Sequence, residues 1–154
     1  MIRVYVAGKL NGMAVDYNKN LHAMINWREI LRRHGYAPYC PCLDLLPGIM
    51  FGDYEYEDYF QANQPWIDVS DALFVCPGWE ESRGTKREMM RAKDKGVPIC
   101  FTIAELDAVR ERVEGRSDAP LSGLHSEPGV SGHVSSLVVG LGDEFHPGPE
   151  HLVE

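Results

Sequence analysis

The sequence predicts an α/β protein built on one doubly wound parallel sheet of four to five strands. Three observations point to it. Residues 72–76 (ALFVC) and 97–101 (VPICF) are short apolar runs separated by a charged, helix-favouring segment, the pattern of two parallel strands joined through a crossover helix. Residues 2–7 (IRVYVA) form a further apolar run that stops at the glycine turn Gly8-Lys9-Leu10-Asn11-Gly12. Residues 77–84 (PGWEESRG) then lie at the carboxyl end of their strand, where open α/β sheets place their ligands.

Taken in order, residues 2–7 are a central strand. Asn18 or Asp16 can cap a helix over residues 19–34, with Leu21, Met24, Ile25, Ile30 and Leu31 as its apolar side and Gly35 as its stop. Residues 36–40 return as the second strand. Residues 41–58 hold too much glycine, proline and aromatic side chain for a regular element, and a loop of that length in a compact domain is often functional. It either closes over a flat ligand such as a base, or uses Leu45, Leu46, Met50 and Phe51 to cover an edge of the core. Residues 55–69 read as helix, with Tyr59, Phe60, Trp66 and Ile67 supplying apolar contacts. Pro65 predicts a kink there, or two shorter helices meeting near Asn63. The third strand, the crossover helix and the fourth strand follow. Residues 103–114, apolar at 103, 106, 109 and 113, form an amphipathic helix ending at Gly115.

Residues 1–115 therefore read as one domain, and residues 116–154 as an extension rich in Gly, Ser, Pro, His and acids, with an apolar island at Leu137-Val138-Val139. That island can supply a fifth strand over residues 134–139, pack on a symmetry partner, or stay disordered.

The chain has 154 residues, 44% hydrophobic and 25% charged, an ordinary composition for one globular domain with a sizeable core. Its 23 acidic against 15 basic residues give a net charge of −8, which disfavours duplex nucleic acid as a partner but admits a small nucleotide in a pocket. No apolar run approaches the length of a membrane span, and charge returns at Lys9 too early for a signal peptide. A cytoplasmic protein with no membrane partner is expected.

Of the four cysteines, Cys76 and Cys100 fall in buried strands. Cys40-Pro41-Cys42 is the one close pair. Zinc would need two more ligands at suitable spacing, and His34 is the nearest histidine. Reduced structural thiols are expected, with no metal and no other cofactor.

The candidate site is the start of the crossover helix. Ser82 and Gly84 stand where that helix should begin, so a hydroxyl, unpaired backbone N–H groups and the positive end of the helix dipole converge on one point. Glu88 lies near Gly84 and Ala92 on the helix surface, beside the side that carries Thr85 and Met89. A carboxylate beside an anion-binding helix start suits a reaction at a sugar carbon whose phosphate is held at one end. The plainer alternative makes Ser82 an N-cap and Glu88 a solvated helix residue.

The run VYVAGKLNG followed by DYN, then RRHGY, then DALFVCPGWEESRGTKRE ending in KGVPI, resembles the nucleoside 2-deoxyribosyltransferase-like superfamily, and within it a small branch of unknown function common in bacteriophages. The likeness covers about residues 2–104. Its most specific part is S-x-G-[TA]-x-x-E after a strand ending in Pro-Gly. The resemblance implies a sheet in the order 2-1-3-4, with a possible fifth strand, whose switch point sets Gly8, Lys9 and Leu10 opposite residues 77–84. It implies Glu88 as the nucleophile at an anomeric carbon, Ser82 as a hydrogen-bonding partner of a 5′-phosphate, and Tyr17 and Trp79 with Gly84 among the substrate contacts. It also implies a homodimer or larger assembly in which a neighbour helps close the site. Two positions depart from the pattern. Asn63 stands where many relatives carry an aspartate, and an amide can hydrogen-bond a leaving base but cannot act as an acid toward it. Lys9 replaces a frequent proline and adds a cation at the pocket mouth. The activities implied are N-glycosidic hydrolysis of a nucleoside 5′-monophosphate, base exchange between deoxynucleosides, or binding of a nucleotide without catalysis.

Overall fold

Four parallel strands form the sheet in a computed structural model that describes residues 1–117 apart from position 53. They are β1 (Arg3–Ala7), β2 (Ala37–Tyr39), β3 (Ala72–Val75) and β4 (Ile99–Cys100), hydrogen-bonded in the order β2-β1-β3-β4. This is the doubly wound order expected from the sequence. The conjectured strand over residues 134–139 lies outside the described residues.

β1 and β3 are buried on both faces, as central strands of a parallel sheet should be. The period of two sorts their side chains into two cores. Val4 and Val6 of β1 join Ala72 and Phe74 of β3 beneath α1 (Ala14–Arg33) and α5 (Ile103–Ser117), meeting Met24, Leu31, Leu106 and Val109. Tyr5 and Ala7 join Leu73 and Val75 on the opposite face, where Ile67 of α3 (Tyr56–Asp68) and Ala92 of α4 (Arg83–Asp94) cover them. The register pairs Val4 with Ala72 and Ala7 with Val75, so β1 and β3 end level with each other and their carboxyl-end loops start side by side.

Several elements differ from the sequence reading. α1 begins at Ala14, five residues before the expected start, and neither Asp16 nor Asn18 caps it; Met13 occupies the N-cap without a side-chain bond. On its expected apolar side Met24 and Leu31 are buried, whereas Ile25 is exposed and Trp27 packs on Phe74, ring centroids 5.2 Å apart. The stretch after β2 is regular: a 3-10 turn (Pro41–Asp44) leads into α2 (Leu45–Phe51), which ends at Gly52 in the left-handed region, φ 74°. Pro47 is tolerated because it falls in the first turn, where the missing N–H has no intrahelical partner to lose. Leu46, Met50 and Phe51 are all more than half exposed, so none of them covers the core edge. α3 is one helix that runs through Pro65, rather than two. α5 runs past Gly115 to Ser117. Among the described residues no helix is long and apolar enough to cross a membrane.

Candidate functional site

Two chain reversals make the floor of a cavity of about 300 Å³ at the carboxyl edge of the sheet, within the lower range of ligand pockets. The first leaves β1 at Gly8. A Cβ at that position would stand 2.9 Å from Met24 Cγ and 3.2 Å from Cys76 Cβ, so only glycine lets β1 turn this close beneath α1 and beside β3. The second leaves β3 through Pro77 and Gly78, the latter at φ 83°, and a 3-10 turn (Trp79–Glu81) delivers the chain to Ser82.

Ser82 is the N-cap of α4. Its Oγ accepts from the Thr85 N–H at 3.2 Å and from the Thr85 hydroxyl at 2.9 Å, and both residues are buried. Both lone pairs of Ser82 Oγ are thus engaged, which leaves its own O–H to donate. The first intrahelical backbone bond is Lys86 N–H to Ser82 C=O at 3.2 Å. The N–H groups of Arg83 and Gly84 precede it and carry the positive end of the helix dipole. Gly84 keeps this turn open, since a Cβ there would press to 3.1 Å from the Tyr56 hydroxyl.

Glu88, one turn further along α4, turns into the same cavity as Gly84 and Thr85. Its Oε1 accepts a 2.7 Å hydrogen bond from the hydroxyl of Tyr5, a fully buried residue of β1. Burial pushes the Glu88 carboxyl up to about 7, and the Tyr5 hydrogen bond pulls the other way. The phenol of Tyr5 is pushed up in turn, first by burial and then by the charge of Glu88.

α3 supplies the opposite wall. Tyr56, Tyr59, Phe60 and Asn63 line the cavity at the i, i+3, i+4, i+7 spacing of one helix face. Asn63 is buried and fixed at both ends of its amide: Oδ1 accepts from the Tyr39 hydroxyl at 2.6 Å, and Nδ2 donates to the Tyr59 carbonyl at 2.8 Å. One Nδ2 hydrogen remains, so Asn63 can offer the cavity a donor. The Tyr39 hydroxyl also contacts the Asp44 carboxylate. Outside the wall, the Arg87 guanidinium lies 3.6 Å from the Phe60 ring centroid and donates two hydrogen bonds to the Glu57 carboxylate at 2.9 and 3.0 Å, fastening α4 to α3. Leu10, Asn11, Tyr17, Pro41 and Cys42 complete the lining.

Of the residues singled out in the sequence, Gly8, Leu10, Tyr17, Asn63, Ser82, Gly84 and Glu88 meet in this cavity. Two do not. Lys9 points to a separate cleft of about 380 Å³ between α1 and the loop after β3, where its Nζ pairs with Glu81 Oε2 at 2.8 Å. Trp79 packs on the second core, its ring centroid 5.8 Å from that of Phe101. Among the described residues the cavity consequently carries no cationic side chain, and Glu88 is the one carboxylate that lines it. Of the stretch expected to cover a base, residues 41–58, Pro41, Cys42 and Tyr56 line the cavity, while Leu46, Ile49, Met50 and Phe51 of α2 are exposed.

Sequence reasoning missed Tyr5 and the aromatic face of α3. Both left a signal. A tyrosine flanked by valines inside a strand has a hydroxyl that must find a buried partner, and the 56/59/60/63 spacing is legible without coordinates.

Residues 2–101 match the model of a family described as Domain of unknown function (DUF4406). No curated protein matches. Among solved structures, a 2-deoxyribosyltransferase from the psychrotolerant bacterium Bacillus psychrosaccharolyticus is similar at 21% identity and a TM-score of 0.48, over 63% of this chain and 69% of that one.

Proposed function

The chain belongs to the Domain of unknown function (DUF4406) family, and on the chemistry of its pocket we propose that it cleaves the N-glycosidic bond of a nucleoside 5′-monophosphate with Glu88 as nucleophile. The single observation that carries this reading is the placement of Glu88. A part-buried carboxylate, oriented by the Tyr5 hydroxyl, shares a cavity with the open first turn of α4. Phosphate is bound by the Ser82 O–H and by the N–H groups of the first turn of α4, with Gly8 leaving room for its approach. The sugar then spans from that turn to Glu88. The carboxylate attacks the anomeric carbon, the base departs with the bonding electron pair, and water releases the sugar from the glycosyl ester, as in a retaining glycosidase. The aromatic face of α3 packs against the base, and the free Nδ2 hydrogen of Asn63 donates to one of its acceptor atoms. Asn63 orients the leaving base but supplies no proton to it.

The absence of a cation among the described lining residues favours a second reading, in which the substrate is an uncharged deoxynucleoside and the glycosyl ester passes to another base. Incubating the protein with a panel of nucleotides and deoxynucleosides, with and without a second free base, separates the two. Hydrolysis is expected to release free base and sugar phosphate from at least one nucleotide, and Glu88→Ala should abolish it. Base exchange confined to deoxynucleosides would establish the second reading instead. A folded sample that turns over neither class would remove both.

A further inference from the structure

The Cys40-Pro41-Cys42 segment is left unused by this reading, and it lies on the wall of the same cavity. β2 ends at Tyr39, and Pro41 opens the 3-10 turn that follows, so the chain bends between the two cysteines. Their Sγ atoms are 3.1 Å apart, and both residues are only 3% exposed. Neither is in a disulfide. Their positions differ in one respect. Cys42 lines the cavity, whereas Cys40 stands behind it with its sulfur 3.9 Å from the Met24 carbonyl. A small solute that enters the cavity reaches Cys42 first.

We propose that Cys40 and Cys42 are an oxidisable dithiol: a hydroperoxide entering the cavity oxidises Cys42, and Cys40 then closes a disulfide with it. In the first step the Cys42 thiolate attacks one oxygen of the peroxide. The O–O bond breaks, the second oxygen leaves as water or alcohol after taking a proton, and Cys42 becomes a sulfenic acid. In the second step Cys40, giving up its proton, attacks the Cys42 sulfur. The S–O bond breaks, the hydroxide takes that proton and leaves as water, and the S–S bond forms. Overall two thiols lose two electrons and two protons, and one peroxide is reduced. Drawing the sulfurs from 3.1 Å to about 2.05 Å needs a shift of roughly an ångström shared between two residues whose backbone is already bent toward closure.

The direction of thiol polarisation agrees with this division of labour. The contact with Cys40 holds the Cys42 thiol below its usual range, whereas the same contact and burial push Cys40 up. The other two cysteines are set differently. Burial pushes Cys76 up to about 12 and Cys100 up to about 11. The proposal holds whatever the cavity binds.

The test treats the full chain with hydrogen peroxide under native conditions and follows the intact mass and the cysteine-containing peptides. The expected product has lost two hydrogens, with a Cys40–Cys42 disulfide that a dithiol reductant reverses, formed at least an order of magnitude faster than any change at Cys76 or Cys100. Cys42→Ser is expected to keep the other three thiols reduced over the same time. Cys40→Ser is expected to stop at a Cys42 sulfenic acid that dimedone traps. Oxidation of the unsubstituted chain at Cys76 or Cys100 as fast as at the pair, or four intact thiols after excess peroxide, would overturn it. Peptide mapping of the unaltered protein gives that answer even if a variant fails to fold.

Discussion

Glu88 is the residue on which chemistry and stability pull against each other. Its carboxyl titrates near 7 against an ordinary value of 4.5 because burial penalises the anion. The native state therefore holds a proton that the unfolded chain has already released between those two values, and stability falls as pH rises through that window. A shift of that size corresponds to roughly 3 kcal/mol, all of it lost above pH 7 and none below about 4.5. Glu88→Gln, which keeps the shape and a partner for the Tyr5 hydroxyl, is expected to leave thermal stability at pH 5 nearly unchanged and to raise it at pH 8, as calorimetry at the two pH values would show. Activity should run the other way. A nucleophile must be ionised, so kcat/KM is expected to climb with pH and level off above about 7. A profile already flat from pH 5 would rule Glu88 out as the group that sets it.

Among the elements, α2 shows most plainly what a one-dimensional pattern hides. Its composition, LLPGIMF, looks like a break, yet Gly48 makes the helix possible for a reason that lies elsewhere in the chain. A Cβ on Gly48 would fall 1.6 Å from the Tyr59 hydroxyl and 2.8 Å from its Cζ. The Tyr59 ring is held against Tyr54, centroids 5.1 Å apart, so it cannot simply swing aside. Gly48→Ala is expected to cost about 1–3 kcal/mol of the overpacking kind. Adding Tyr59→Phe, which removes the clashing oxygen, should restore part of it in a double-mutant cycle by denaturant unfolding. By contrast α4 was legible from sequence, because Ser82 states its cap and Pro77-Gly78 its approach. For α1 only the far end was legible. Gly35 stops it at φ 83°, but its start has no capping side chain to read.

At the scale of the whole molecule the sequence revealed the sheet because β3, and β1 after Arg3, are runs without charge, and burial on both faces leaves no other arrangement for them. The alternation within those strands also says which residues share a core. Phe74 is fully buried between α1 and α5 with Trp27 against its ring. Phe74→Ala is expected to cost about 3–5 kcal/mol, read as a lower denaturant midpoint. The cavity was half legible. Its floor follows from strand order and glycine turns, which are local signals. Its far wall comes from α3, and the pairing of Arg87 with Glu57 across 30 positions is a tertiary fact with no signature in spacing. The same holds for Lys9. A cation beside Gly8 looks placed for an anion until Glu81, 72 positions away, takes it.

The level ends of β1 and β3 have a mechanical consequence. Those two strands are laddered together as far as Ala7 and Val75, so the lips that carry Gly8 and the α4 cap cannot part without tearing the middle of the sheet. Any breathing that admits or releases a guest must come from the sides the ladder does not reach, those built by α3 and by Pro41 and Cys42.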